Sequence, residues 1–200
     1  MPKWVDHDER RRHIAEAVLS IAGRDGLERA TLRDVAHEAR VSLGSVQHYF
    51  RTKDNMLRYV VGYLGEQVTA RIVAGTDFGA EDGPVQAFLR SLAAEILPLD
   101  SRRTSERRAG QALAARAPGS PELVEVLREN SSWLHARVAE LITRAQLDGQ
   151  APAHLDAEQE SIVLLALLEG LAADILHGVR EPGQALASAH YHLDRLFTTD

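Results

Sequence analysis

A chain of 200 residues, 44% hydrophobic and 26% charged, can bury a core as one large domain or two small ones. It has no cysteine, which excludes a disulfide framework, a thiolate zinc site and a cysteine nucleophile, and its longest apolar run, the seven residues 162–168, is far too short to span a membrane. The net charge of −6 divides unevenly: residues 1–60 carry 11 Lys and Arg against 9 Asp and Glu, and residues 61–200 carry 12 against 20, so local positive charge for a nucleic acid is concentrated toward the N-terminus.

In chain order, residues 1–8 are polar and expected to fray. They contain no signal-type apolar segment, which implies a cytoplasmic location. Arg10, Arg11 and Arg12 open a first helix, either as a solvated face or as a basic arm toward a phosphate or the minor groove. Ile14, Ala17, Val18 and Ile21 then share one face. Gly23 and Gly26 bracket the end of that helix, a usual place for a left-handed cap. Leu32, Val35, Ala36 and Ala39 recur at i, i+3, i+4 and i+7, a second helix, with Thr31 and Asp34 spaced as a capping box. Arg40-Val41-Ser42 is a short break with Val41 as its plug. Ser42 can cap a third helix, Leu43 to Phe50, whose Val46 and Phe50 face inward. Thr52 caps a fourth, with Lys53 and Asp54 in its first turn and Met56 and Leu57 as its first apolar residues.

Residues 31–57 therefore read as a helix-turn-helix with the next helix attached, and they resemble the DNA-binding domain of the TetR family of transcriptional regulators. The matching positions are Thr31, Val35, Ala36, Ala39, Val41, Ser42, Gly44, Ser45, Val46, Tyr49, Phe50, Thr52, Lys53 and Leu57. Arg40 stands where the family usually has Gly, so it must take a turn conformation that Gly adopts more cheaply. Gln47 stands where Tyr is frequent, which changes what the third helix can read.

The fourth helix runs from Lys53 to about Ala74, with Val60, Leu64 and Val68 on one stripe. Residues 75–83 are a loop by composition. Pro84 opens a fifth helix that ends near Pro98. A sixth covers roughly 101–116, and Ser120-Pro121 is cap and first turn of a seventh that reaches about Leu147. Asp156 caps an eighth, to about His177, and Pro182 opens a ninth, to about Phe197. The expected architecture is all-α, nine helices: a three-helix helix-turn-helix domain over 1–52 and a helical ligand-binding and dimerisation domain over 53–200. Ile96-Leu-Pro-Leu-Asp100, Leu141-Ile142 with Asp148-Gly149, and Leu167-Leu-Glu-Gly-Leu171 resemble the C-terminal region of the BetI-like branch. That branch often has tryptophans in its sixth helix, where this chain has Ala109-Gly110-Gln111, so choline does not follow from the resemblance.

A recognition helix presents the side chains of its N-terminal half to base edges. Here these are Ser42, Leu43, Ser45 and Gln47, with Gly44 allowing close approach, and Gln47 is suited to a bidentate bond with adenine. The resemblance adds His48, Tyr49 and Lys53 as phosphate contacts, with Thr31, Arg33 and Arg40 as further backbone contacts. An eighth helix apolar nearly all round from Ile162 to Leu176 is either a dimer seam or the core of a monomer. In the family the last two helices pair across a two-fold axis, which places Ile162, Leu165, Leu168, Leu186, Ala189, Leu193 and Leu196 at the seam. Gln111, Trp133, His135, Glu169 and Asp174 are polar or aromatic groups on helices expected to surround a cavity. They read either as a site for a cationic or apolar effector, with Trp133 offering a cation–π face, or as structural pairs with arginines such as Arg137 and positions at the dimer seam.

No nucleophile elbow, phosphate loop or zinc motif occurs, and the single Asp174-Ile-Leu-His177 does not make a di-iron site, so an enzyme, a metal and a cofactor are not expected. The resemblance implies a homodimeric regulator, a repressor bound to a palindromic operator in double-stranded DNA and released by a small organic effector. The competing reading is a DNA-organising or partner-binding protein of the same fold, or an activator, without such an inducer.

Overall fold

A computed structural model describes residues 7–75 and 85–198. Among these, nine α-helices follow one another with no strand: α1 (His7–Asp25), α2 (Leu32–Glu38), α3 (Leu43–Tyr49), α4 (Lys53–Gly75), α5 (Val85–Ile96), α6 (Ser101–Arg116), α7 (Pro121–Leu147), α8 (Ala157–Leu176) and α9 (Pro182–Leu196). Single 3₁₀ turns at Leu27–Arg29 and Ala117–Gly119 were not anticipated from the sequence. The expected opening of α5 by Pro84 and the loop over 76–83 lie outside the described residues.

Local chemistry accounts for the helix starts. The Asp156 carboxylate accepts from the backbone N–H of Glu158 (3.0 Å) and Gln159 (3.2 Å), and Asp100 accepts from that of Arg103 at 2.8 Å, satisfying donors that a helix cannot bond internally. Glu181 and Gln184 form a reciprocal capping box at α9, with Pro182 in the first turn. Two expectations need correction. The first helix begins at His7, with Asp8 and Glu9 in its first turn, where acidic side chains favour the helix dipole. Gly23 is not a cap but an interior residue of α1. The left-handed glycine is Gly26, with φ 88°.

Two compact units divide the chain, one formed by Met1–Glu66 with Thr104–Arg128, the other by Gln67–Arg103 with Glu129–Asp200. The first has its own core: Ile14, Val18 and Ile21 of α1, Val35 of α2, Val46 of α3, Phe50, Met56, Leu57 and Val60, closed by Leu113 of α6 and Leu123 of α7. Gly23 sits in α1 where α6 crosses close by, and a Cβ there would lie 2.7 Å from the Ser105 carbonyl oxygen. The second unit has a separate core from Leu89 and Leu92, Ile142, Leu164, Leu168, Leu193 and Leu196, with α9 packed against α5 and α8. Within it, Glu95 accepts hydrogen bonds from Arg71 at 2.5 Å and Arg103 at 2.9 Å and is bridged by Arg102 at 3.4 Å. Burial alone would raise the Glu95 carboxyl. The bonds from Arg71 and Arg103 outweigh it and hold the group below the ordinary glutamate range.

The eighth helix is not apolar all round in its surroundings. Leu164, Leu168 and Ala172 point into the core, while Ile162 (48% exposed), Val163 (49%), Ala166, Glu169 and Gly170 face outward. That outward stripe follows the three- and four-residue spacing of one helix face.

Candidate nucleic-acid interface

The geometry of residues 31–53 grows from three caps and one strained turn. The Thr31 hydroxyl accepts from the Asp34 backbone N–H at 3.2 Å, as expected, but the reciprocal half of the capping box is replaced. The Asp34 carboxylate accepts from the Thr31 hydroxyl at 2.5 Å, and the Thr31 N–H goes to the Arg29 carbonyl at 2.9 Å. The hydroxyl bond from Thr31 holds the Asp34 carboxyl below its usual range. Ser42 caps α3 through its hydroxyl, which accepts from Ser45 N–H at 3.1 Å, and Thr52 caps α4 by accepting from Asn55 N–H at 3.1 Å. Between α2 and α3, Arg40 takes φ 51°, the one described non-glycine residue in the left-handed region. The Val41 N–H then closes the turn on the Ala36 carbonyl at 2.9 Å.

Helix α1 braces this motif from behind. The His13 imidazole Nε2 bonds the Ala39 carbonyl at 2.7 Å, at the mouth of the Arg40 turn. The Ser20 hydroxyl (2.7 Å) and the Arg24 guanidinium (3.3 Å to each oxygen) donate to Glu38 at the end of α2. Those bonds, from Arg24 first and Ser20 second, hold the Glu38 carboxyl low. Tyr63 of α4 donates to Glu16 of α1 at 2.9 Å, and burial, then that carboxylate, push its phenol up to about 12.

The face left outward on α3 is polar. Val46 and Phe50 are buried, whereas Gly44, Gln47 and His48 are exposed at the spacing of one helix face. Of the other residues singled out, Thr31, Arg33, Arg40 and Ser42 are exposed, and Ser45, Tyr49 and Lys53 are half-buried. Four of these groups are engaged within the chain: Thr31 and Ser42 as caps, Lys53, whose Nζ donates to the Leu27 carbonyl at 3.4 Å, and Tyr49 through its hydroxyl. Leu43 is half-buried and packs against the core, so it is not a freely presented side chain. Sequence reasoning missed His7, whose Nδ1 lies 3.1 Å from the Tyr49 hydroxyl, and His13. Neither carries a local signal, because their partners lie 42 and 26 positions away.

The effector candidates divide between the two units: Gln111 belongs to the first and the other four to the second. Trp133 is 52% exposed, and Glu169 is exposed on the outward stripe of α8. Asp174 pairs with Arg180 at 3.0 Å at the end of α8, and Arg137 pairs with Glu140 at 2.8 Å, which is the structural use of such charges. Only half-buried His135 retains an unsatisfied group, a buried Nδ1 without a hydrogen-bond partner. The seam candidates divide as well. Ile162 faces outward and Leu186 is half-buried, but Leu165, Leu168, Ala189, Leu193 and Leu196 are enclosed in the unit's own core, where α8 packs with α9 and α5. Among the described residues, no cluster of three or more His, Asp and Glu could hold a metal, and no helix is long and apolar enough to cross a membrane.

Comparison with known proteins agrees with this arrangement. Residues 14–60 match the family of bacterial regulatory proteins, tetR family, and residues 85–198 match the BetI-type transcriptional repressor C-terminal region. The HTH-type transcriptional regulator PksA of Bacillus subtilis is 31% identical over 185 residues, 91% of this chain and 84% of that protein. A transcriptional regulator from Rhodococcus sp. Rha1 has a crystal structure similar at a TM-score of 0.79 and 29% identity, covering 93% of this chain and 95% of that one. The multidrug binding protein EbrR complexed with ethidium is similar at a TM-score of 0.70 and 25% identity, over 95% and 99%. With an all-α architecture, a capped helix-turn-helix and both parts matched, this chain belongs to the TetR family of DNA-binding transcriptional regulators, with a C-terminal region of the BetI type, and is not an enzyme.

Proposed function

We propose that the protein is a homodimeric repressor that reads a palindromic operator through α3 and releases it when a small organic effector binds. The observation that carries this reading is the outward face of α3. Gly44, Gln47 and His48 are exposed in register on a helix whose opposite side, Val46 with Phe50 behind it, is locked into a core. A helix held this firmly from behind offers its polar face to the major groove without a further ordering cost. In this reading residues 1–52 bind DNA, with Ser45 and Gln47 on base edges and His48, Tyr49, Arg33, Arg40 and Lys53 near phosphates. Residues 53–200 supply the two-fold seam and the effector site.

The exposed apolar stripe of α8 supports a dimer, because an isolated chain would leave Ile162 and Val163 in water. A two-fold pair presents its recognition helices about 34–36 Å apart, or a multiple of that. An apolar or cationic effector is supported by the likeness to EbrR, a protein complexed with ethidium. The unsatisfied Nδ1 of His135 is a polar group that such a site can use. The effector acts only through its differential affinity for the bound and released states, and moving the balance from 99:1 to 1:99 takes about 5.5 kcal/mol.

The test is selection from a random duplex library with purified protein at about 150 mM salt, followed by a ligand screen scored as release. Enrichment of an inverted repeat is expected. Binding that only fades with rising salt, with no enriched sequence, would overturn specific repression in favour of an organising role.

A further inference from the structure

Three aromatic rings meet at the C-terminal end of α3. The Tyr49 ring packs edge-on against His48, with centroids 5.1 Å apart and planes at 84°, and tilted against His7 at the start of α1, 5.7 Å apart at 58°. The His7 Nδ1 shares a hydrogen bond with the Tyr49 hydroxyl at 3.1 Å. Both histidines are exposed and Tyr49 is half-buried with its ring against the core, so the hydroxyl is the part of Tyr49 that His7 addresses. We infer that His7 is a positioning residue that sets the direction of the Tyr49 hydroxyl proton, and that its protonation strengthens DNA binding. This rests on the reading that Tyr49 contacts a DNA phosphate.

The argument is one of hydrogen-bond polarity. A neutral imidazole protonated on Nε2 leaves Nδ1 as an acceptor. The phenol then gives its only proton to His7 and turns lone pairs outward, which a phosphate oxygen, itself only an acceptor, does not accept. An imidazolium carries a proton on Nδ1 as well and donates it to the Tyr49 oxygen. The phenol proton is thereby freed for an outside acceptor, while the imidazolium adds positive charge beside it. From the Nε2–H tautomer, taking one proton from solvent thus converts Tyr49 from a presented acceptor into a presented donor. Next to His7 on α1 is Asp8, with Arg11 3.9 Å from it, and His48 of α3 packs against Tyr49. From α4, Tyr59 interacts electrostatically with Asp8, Arg11 and Arg12.

Imidazole is the side chain that changes charge across the physiological range. A bound phosphate that favours the imidazolium by one pKa unit is worth about tenfold in affinity. The group gains protons in the complex, so the added affinity is present on the acid side and is lost as the pH rises through the imidazole range.

The experiment measures affinity for a labelled random-sequence duplex at fixed low salt, from about pH 8 to about pH 6, for the wild type, His7→Gln, Tyr49→Phe and the double variant. Circular dichroism at each pH confirms that every variant is folded. His7→Gln keeps a hydrogen-bonding side chain but cannot titrate. The wild type is expected to gain about tenfold more affinity than His7→Gln over this range, and the difference is expected to disappear in the Tyr49→Phe background. Identical pH profiles for wild type and His7→Gln would overturn the role of His7. A His7 effect that survives intact without the Tyr49 hydroxyl would overturn the route through Tyr49. Tyr49→Phe binding as tightly as wild type at every pH would instead overturn the underlying phosphate contact.

Discussion

Replacing Gly23 by Ala tests whether the close passage of α1 and α6 is as tight as it looks. In an ordinary helix interior, Gly to Ala stabilises by about 1 kcal/mol, because Ala restricts the unfolded chain and suits the helix. At Gly23 the new Cβ would stand 2.1 Å from the Ser105 Oγ, 2.7 Å from its carbonyl oxygen and 3.1 Å from its carbonyl carbon. The hydroxyl can rotate away, but the carbonyl belongs to the backbone of α6 and can yield only if the helix moves. Forcing extra volume into a packed core costs about 1–3 kcal/mol. The propensity gain offsets part of this, leaving a net loss of about 0–2 kcal/mol. Gly62 in α4 is the internal control, since a Cβ there would meet nothing within 4 Å and the propensity gain should appear in full. Urea unfolding followed by far-ultraviolet circular dichroism, at one protein concentration because association would add to stability, compares the two. Gly62→Ala should shift the midpoint up and Gly23→Ala down or not at all, with a gap of about 1–3 kcal/mol between them. If Gly23→Ala stabilises as much as Gly62→Ala, the reasoning about the α1–α6 crossing is wrong.

Arg40→Gly should raise stability by about 0.5–1 kcal/mol, because φ 51° strains any residue with a Cβ and not glycine, and a lowered melting temperature would contradict this. Glu95→Gln should cost about 1–2 kcal/mol at neutral pH, discounted because the arginines around it are partly exposed. Since the folded carboxyl is held below its unfolded value, the contribution is complete above about pH 4–5 and is lost as the pH falls through the lower folded value. The wild-type and variant stability curves should therefore converge in acid, and curves that stay parallel would refute the assignment. Gln47→Ala should relax preference at one base position by about 1–3 kcal/mol while leaving the others intact, read from repeated duplex selection. Val163→Glu on the outward stripe of α8 should give a folded monomer in sedimentation with weakened operator binding, and an unchanged dimer would remove that stripe from the seam.

Much of the fold was legible in residue order because its signals are local. The caps at Thr31, Ser42, Thr52 and Asp156 act within three residues, and the apolar spacing of α1 to α3 repeats within a turn or two, so helix starts and the helix-turn-helix can be read directly. The turn conformation of Arg40 was legible through the family resemblance, since Arg40 stands where Gly is usual. What only the folded chain decided depends on partners far apart in sequence. Periodicity shows that α8 has apolar side chains on several faces, but not that Leu165 and Leu168 are buried in the core while Ile162 and Val163 are left outside. It could not show that Gly23 faces α6 rather than forming a helix cap, or that Trp133 and Glu169 are exposed. It could not bring His7 to Tyr49 across 42 positions. A cap or an apolar stripe is a property of a single helix, whereas the choice of which stripe is buried, and which polar group is left presented, is a property of the helices that pack against it.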